Sequence, residues 1–559
     1  MNASKTPRVM TGALVGLLLG GPLLAALFIA DRAAGLPFLP FDLFALVRDA
    51  LPGNIITSGI DAMVDAILAL NLGQVDTTAK LIEELMGLGM VLVVTTLLGA
   101  LTFAALRRTD AGQRIIAGTG LGFGAGLLMA FISLETNVTA SASSAASFVW
   151  LVIAFTIVGG TLAWIFIQLA GDSESAPAAS VEMLDSGDGI DRRGFLIRLG
   201  GATATLTIVG AGLGSLLDRR APVQTVSLSD ASPEATPEVA AAPTPDLPNA
   251  TAAVQPAPGT RPEYTPLEDH YRIDINVRPP RVDGESWVLP VTGLVAEPLE
   301  ITIDDLVDNY EPVDQFVTLS CISNRIAGNL IGTTRWTGVP LHILMEAWGV
   351  SPSARWLHIT AADGFDEYLS VSLARRDERV MLTYAWDGQP LTQDHGFPLR
   401  VYIPDRYGMK QPKWITGIEF VADKGEGYWV RRGWSEEALV RTVSVIDTIA
   451  TDHAFERDGQ TFIPIGGIAY SGAKGISRVE VQLNDGEWTE AELRDPISET
   501  TWVIWRYDWP FEAGDHRFRV RCYDDAGNMQ ITDTNDVRPD GATGVHVIRR
   551  EIVAADGQA

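Results

Sequence analysis

The pattern of apolar and polar positions changes character near residue 220. Before it, five runs are almost continuously apolar: 9–30, 85–106, 115–134, 148–170 and 199–217. Crossing the hydrocarbon core takes about 20 apolar residues, and only a helix satisfies its own backbone there. Each run therefore predicts a transmembrane helix, the fifth only just long enough. Residues 60–70 (IDAMVDAILAL) read differently, because Asp61 and Asp65 fall one turn apart on a single face. That spacing predicts a short amphipathic helix lying at the membrane interface.

Residues 221–263 are rich in Ala, Pro and Thr and poor in large apolar groups, which predicts an extended tether. From about Tyr264, β-rich runs at 287–292, 315–319 and 357–360 alternate with helix-like stretches such as 340–348, the pattern of a mixed α+β domain. From about Glu437 a period of two takes over, at 478–483, 502–505 and 516–522, with turns at Asn484-Asp-Gly and Ala513-Gly-Asp. A β-sandwich is expected there. The expected architecture is multi-domain: a membrane domain of about five helices over 1–220, a linker over 221–263, a mixed α+β domain over 264–436 and a sandwich over 437–551.

Charge sets orientation. Lys5 and Arg8, then Arg107, Arg108 and Arg114, then Arg192, Arg193 and Arg198 flank the runs on alternate sides, and these segments are expected in the cytoplasm. Residues 31–84 and 135–147 then face outward, and five crossings put everything after residue 220 outside. Asp191-Arg-Arg-Gly-Phe-Leu196 resembles a twin-arginine export signal in an internal position; two further positive-inside arginines are the other reading.

The formal net charge of −27 excludes nucleic acid as a partner. The runs carry almost no charge, which speaks against a transporter. Two cysteines, Cys321 and Cys522, rule out a disulfide framework or a Cys-rich cluster. All seven histidines follow residue 265, and there is no Cys-x-x-Cys-His, so no haem is expected among the helices.

A β-run ends at Cys321, and a loop rich in Ser, Asn and Gly follows. Position alone leaves three readings of this thiol: a small packed apolar group, a disulfide with Cys522, or a group exposed to a pocket.

The surrounding motifs carry a resemblance. Cys321-Ile-Ser-Asn-Arg325, Thr334-Arg-Trp-Thr-Gly-Val-Pro-Leu341, Asp387-Gly-Gln-Pro-Leu391, Asp394-His-Gly-Phe-Pro-Leu-Arg400 and Lys413-Trp414 stand in one order. Tyr271-Arg-Ile-Asp274 and Arg281-Val-Asp-Gly-Glu-Ser-Trp287 precede them. This series resembles the sulfite oxidase family over about 265–550, most of all its bacterial membrane-anchored members. The resemblance implies a molybdenum–molybdopterin cofactor with Cys321 as the metal's protein ligand, which a disulfide to Cys522 would forbid. Cys522, in an alternating strand, then reads as packed core.

It also implies that His395 and Arg400 bind the pterin, that Gln411 and Lys413 hold the other end of the cofactor, and that Tyr271 and Arg272 line the pocket near the metal. Arg272 and Arg325 become candidates for gripping an oxyanion, since guanidinium forks suit such oxygens. One departure stands out: Glu426 falls where the family has a tyrosine, and Tyr428 is displaced by two. Either Tyr428 takes that role or the substrate is not sulfite.

The activity implied is oxygen-atom transfer on a small oxyanion or an S- or N-oxide, at a bacterial cell membrane. Electrons would pass to a separate cytochrome or quinone-linked partner, and an immunoglobulin-like C-terminal domain would support a homodimer. The alternative is a cofactor-free, membrane-tethered scaffold on the same fold.

Overall fold

A computed structural model describes residues 7–137, 140, 142–170, 192–218 and 246–552. Its long helices are α1 (Val9–Ala34), α2 (Leu39–Ala50), α3 (Gly53–Ala69), α4 (Val75–Leu106), α5 (Arg114–Thr136), α6 (Ser144–Ala170) and α7 (Arg192–Asp218). The chain gathers into two units, one drawn from 1–52, 78–224 and 276–281, the other from 53–77, 225–275 and 282–559.

In the first, helical unit, four helical stretches among the described residues are long and apolar enough to cross a membrane: α1, α4, α6 and Ala111–Thr136, which contains α5. Five were expected. The fifth run is helical, as α7, but Gly, Ala and Thr take many of the places that Leu, Val and Ile hold in the others. The Arg192 and Arg193 side chains, and with them the export motif, lie outside the described residues. Helices α5 and α6 approach closely through glycines: a Cβ on Gly122 would lie 2.8 Å from the Gly159 Cα. Small residues let the two backbones meet, a packing that also suits helices able to cross a membrane. Residues 276–281, expected within the mixed domain, belong here. Arg48 Nη1 donates to Asn276 Oδ1 at 2.6 Å, and Arg278 lies 4.6 Å from the centre of the Phe41 ring.

The second unit holds the sheets. One has the order 299–301, 289–293, 415–421, 356–361, 366–370, with 289–293 parallel to 415–421. Another pairs 313–320 with 331–340 and then 381–386, which takes 389–390 and 400–402 on its other side. Short helices at Ile303–Asn309, Leu341–Ala347 and Val371–Arg376 complete the mixed α/β part. Beyond residue 440 two antiparallel sheets share one core: 443–449, 460–470, 503–510 and 492–493 form the first, 488–490, 478–483, 514–523 and 546–552 the second. The expected strands and the helix near 340–348 are present, shifted by a few residues.

Two expectations change. Residues 246–263 are no tether, because buried Asn249 and Glu263 fix them to the sheet unit. Arg494 reaches Glu263 at 2.9 Å and the carbonyls of Asn249 and Val254. The preceding part of the expected linker, 219–245, lies outside the described residues. The amphipathic helix runs over Gly53–Ala69 and belongs to the sheet unit. Its two acids meet arginines there: Asp61 pairs with Arg538, and Asp65 with Arg325 at 2.6 Å.

Candidate functional site

The strand Val313–Ser320 delivers Cys321 to a tight loop. The Cys321 N–H donates to Leu330 O at 2.9 Å, and Asn324 Oδ1 accepts the Leu330 N–H at 3.0 Å, so the loop closes on itself. The thiol is 8 % exposed, and its sulfur lies 3.0 Å from Ser323 Oγ. Burial pushes its pKa up. Cys522 is fully buried in the sandwich core, and both cysteines are free. The disulfide reading is therefore excluded, and Cys522 is the packed core residue expected.

Cys321 shares its cluster with Tyr271, Trp336 and Trp386. The Arg400 guanidinium stands 4.5 Å from the Trp336 ring centre and 5.0 Å from that of Trp386. Its Nη1 donates to the His395 carbonyl at 3.1 Å. The His395 ring lies 4.9 Å from Trp386 and 5.8 Å from His270. Burial, with Lys413 and Arg400 nearby, drives the His395 pKa down and holds the ring neutral; burial likewise lowers His270 to about 3. Lys413 pairs with Asp274 and sits 4.4 Å over Trp414. Asp274 also meets Arg272 at 3.2 Å, which ties Tyr271-Arg272 to Lys413.

Gln411 donates to Ile403 O at 3.2 Å and Arg406 O at 3.0 Å. Tyr271, Arg272, Cys321, His395, Arg400 and Lys413 are thus linked through shared neighbours. Arg325 and Tyr428 have other company: Arg325 bonds Asp65, while Tyr428 packs with Ile275, Ala361 and Phe365 beneath Arg432.

Several members went unread in the sequence. His270 is stacked on Tyr271 and buried, and its one signal was its place directly before the Tyr271-Arg272 pair. Trp336 and Trp386 lie fifty residues apart and meet only because 331–340 pairs with 381–386.

Whether a large anionic cofactor fits is tested by atoms that lack partners. Buried polar groups are nearly always hydrogen-bonded. Here His270 Nε2, Arg400 Nε and Gln411 Oε1 are buried without a partner. One donor, Arg400 Nε, two acceptors, Gln411 Oε1 and His270 Nε2 (the neutral ring turns its Nδ1–H to the Tyr271 carbonyl at 3.2 Å), and a soft thiol suit a metal held by a polar organic ligand.

Comparison with known proteins agrees. The family described as the oxidoreductase molybdopterin binding domain matches residues 276–429, and the Mo-co oxidoreductase dimerisation domain matches 437–537. Mitochondrial sulfite oxidase of Homo sapiens is 29% identical over 298 residues, covering 45% of this chain and 54% of that protein. Nitrate reductase [NAD(P)H] of Hordeum vulgare is 28% identical over 326 residues, covering 48% and 36%. The chain thus spans about half the length of these relatives or less. Among solved structures, the sulfane dehydrogenase SoxCD from Paracoccus pantotrophus aligns at 20% identity and a TM-score of 0.43, covering 50% of this chain and 81% of that one. Two family domains in tandem, the first matched over the segment that holds Cys321, His395, Arg400 and Lys413, identify the chain as a molybdopterin-binding oxidoreductase of the sulfite oxidase family.

Proposed function

We propose that this chain is a membrane-anchored, molybdenum-cofactor-dependent oxidoreductase that performs oxygen-atom transfer on a small oxyanion or an S- or N-oxide. The observation that carries the reading is the buried Cys321 thiol beside a set of buried, unpartnered polar atoms. When bound, the cofactor supplies the two-electron oxygen exchange, and the protein supplies orientation and electrostatics.

Cys321 would hold the metal as a thiolate, which the metal's charge would keep deprotonated. Arg400, through its unpartnered Nε–H, and Lys413, beside Asp274, would hold the cofactor's negative groups. His395 is neutral, so its ring both donates and accepts a hydrogen bond. Gln411 fixes the 403–411 turn through its amide nitrogen and leaves Oε1 for the cofactor. Tyr271 and Arg272 border the reacting centre. Arg325 and Tyr428 remain candidates for the substrate side of the site, the first bonded to Asp65 and the second packed on Phe365.

The four apolar helices serve as anchor, with α7 beside α1 as a fifth, less apolar element. The distribution of Arg and Lys supports a cytoplasmic N-terminus and an extracytoplasmic sheet unit at a bacterial cell membrane. The paired sheets beyond residue 440 support an immunoglobulin-like sandwich, and the match over 437–537 supports a homodimer. Electrons leave to a separate cytochrome or quinone-linked partner.

The test is molybdenum analysis of full-length protein purified in detergent from a host that makes the cofactor. Stoichiometric metal in the wild type and none in Cys321→Ser is the expected result. A wild type without molybdenum would overturn the proposal.

A further inference from the structure

The strand Val313–Ser320 lies at the edge of its sheet, with 331–340 as its partner on one side. Its backbone groups point alternately toward that partner and away from it. Two positions fix which are which. The Thr318 N–H donates to Thr500 O at 3.2 Å, and the Phe316 carbonyl accepts from Ser498 Oγ at 2.7 Å and Thr500 Oγ1 at 2.6 Å. Even-numbered residues therefore face outward, and the loop 498–500 covers the edge from the Phe316 carbonyl onward. The Phe316 N–H and both backbone groups of Asp314 face outward too, and among the described residues nothing bonds them on that side. An open cleft of about 540 Å³ is lined by this bare stretch, a volume that suits a ligand. Val313 and Ile343 expose apolar side chains to it, and His342 Nδ1 is buried there without a partner. Acids outnumber cations in its lining, with Asp314, Glu378 and Glu499 against Arg379. Arg379 is already engaged by Glu499 at 3.0 Å and Asp377 at 2.8 Å.

We propose that this cleft binds an extended, basic segment of a partner protein, which adds a short strand to the edge at 313–316. An unpaired strand edge is a ready template for another chain. Main-chain bonds hold such a segment, and its alternate side chains choose it. Here the choice is apolar groups for Val313 and Ile343 and cations for Asp314 and Glu378, with His342 Nδ1 left to bond a polar atom. The chain does not supply this segment from outside the described residues: 171–191, 221–245 and 553–559 contain acids and neither Lys nor Arg. A second copy pairing through the same edge would bring Asp314 close to its own counterpart, and like charges placed opposite each other repel. A basic partner meets neither obstacle. The strand ends directly before Cys321, so the segment is seated on the element that carries that thiol. Binding of this kind is independent of which oxide reacts at the cofactor.

The experiment follows the fluorescence anisotropy of a labelled, end-blocked pentapeptide of alternating lysine and valine, added to full-length protein in detergent at low salt. The wild type should bind it, and should not bind the same peptide with glutamate in place of lysine. Asp314→Asn with Glu378→Gln should weaken binding about fivefold, the scale of two exposed charges. Asp314→Pro should weaken it about fivefold beyond Asp314→Asn, because proline removes one outward N–H, a change that an edge strand tolerates. A further measurement uses the wild type alone, so that no variant need fold. Methylating every other peptide nitrogen in one of the two alternate registers should abolish binding, while methylating the other register should leave it. Equal binding of the glutamate peptide would overturn the proposal, as would equal effects of the two methylated registers or an unchanged affinity in Asp314→Asn with Glu378→Gln. So would a wild-type dimer that Asp314→Pro splits in gel filtration, since the edge would then belong to a second copy.

Discussion

The Arg400 guanidinium lies 4.5 Å from the centre of the Trp336 ring, with Trp386 at 5.0 Å. Burial pulls its pKa down to about 10, which leaves it charged at neutral pH. A planar cation stacked between indoles is held by shape as well as charge, and lysine reproduces only the charge. Arg400→Lys should therefore retain the fold but lose at least about tenfold in cofactor affinity, the scale of one charged hydrogen bond. Molybdopterin remaining after gel filtration measures this. Full retention would show that the cofactor does not use this guanidinium.

The pattern of apolar runs and the ordered motifs made the four apolar helices, the mixed sheet domain and the Cys321, His395, Arg400 and Lys413 neighbourhood legible in advance. What stayed hidden depends on contacts between distant residues. Nothing near Arg325 announces Asp65, 260 positions earlier. Asn249 and Glu263 look like linker residues until Arg494 is seen between them. Helix α3 was legible as amphipathic, but the pattern of a polar face does not say whether water, lipid headgroups or arginines lie opposite it. Asp61 and Asp65 are set against arginines.

Lys410 and Glu367 form an ion pair at 2.6 Å with side chains 7% and 2% exposed. Burial pushes the Glu367 pKa up and the Lys410 pKa down. Two charges without water tolerate each other only as a pair. Lys410→Met alone should destabilise by about 3–5 kcal/mol, because it strands Glu367, whereas Lys410→Met with Glu367→Leu should come back close to the wild type. Thermal unfolding of the three proteins checks this. Equal losses in the single and double variants would show that packing, not charge, sets the cost.

Asp363 gives stability a pH dependence of definite sign. Burial, helped by Asp274, raises its carboxyl from 3.8 to about 6, against the opposing effect of the Phe365 N–H and Lys413. The folded chain therefore binds more protons than the unfolded one between those values. Stability on this account falls as pH rises from about 4 to 6, and the full loss persists above. Asp363→Asn keeps an oxygen for the Phe365 N–H, which now donates at 3.0 Å to Oδ1. At pH 8 the variant should exceed the wild type by about 2 kcal/mol, and at pH 4 the two should converge. Melting curves at both pH values decide it, and a gap that widens toward acid would reverse the assignment.

Within α5, Gly122 and Gly124, about 3 Å of helix rise apart, provide an internal control for its packing on α6. A Cβ on Gly122 would come 2.8 Å from the Gly159 Cα and 3.0 Å from its nitrogen, backbone atoms that cannot swing away. A Cβ on Gly124 would meet nothing within 4 Å. Alanine is the better helix former by about 1 kcal/mol, so propensity alone favours both substitutions equally. Gly122→Ala should nonetheless cost about 1–3 kcal/mol through overpacking against α6, while Gly124→Ala should be neutral or slightly stabilising. Melting of each variant in detergent, read by helical circular dichroism, compares them directly. Because residue type, helix and propensity are shared, the difference between the two isolates the close approach of α5 to α6. Identical melting would mean that the glycine contact does not hold these helices together.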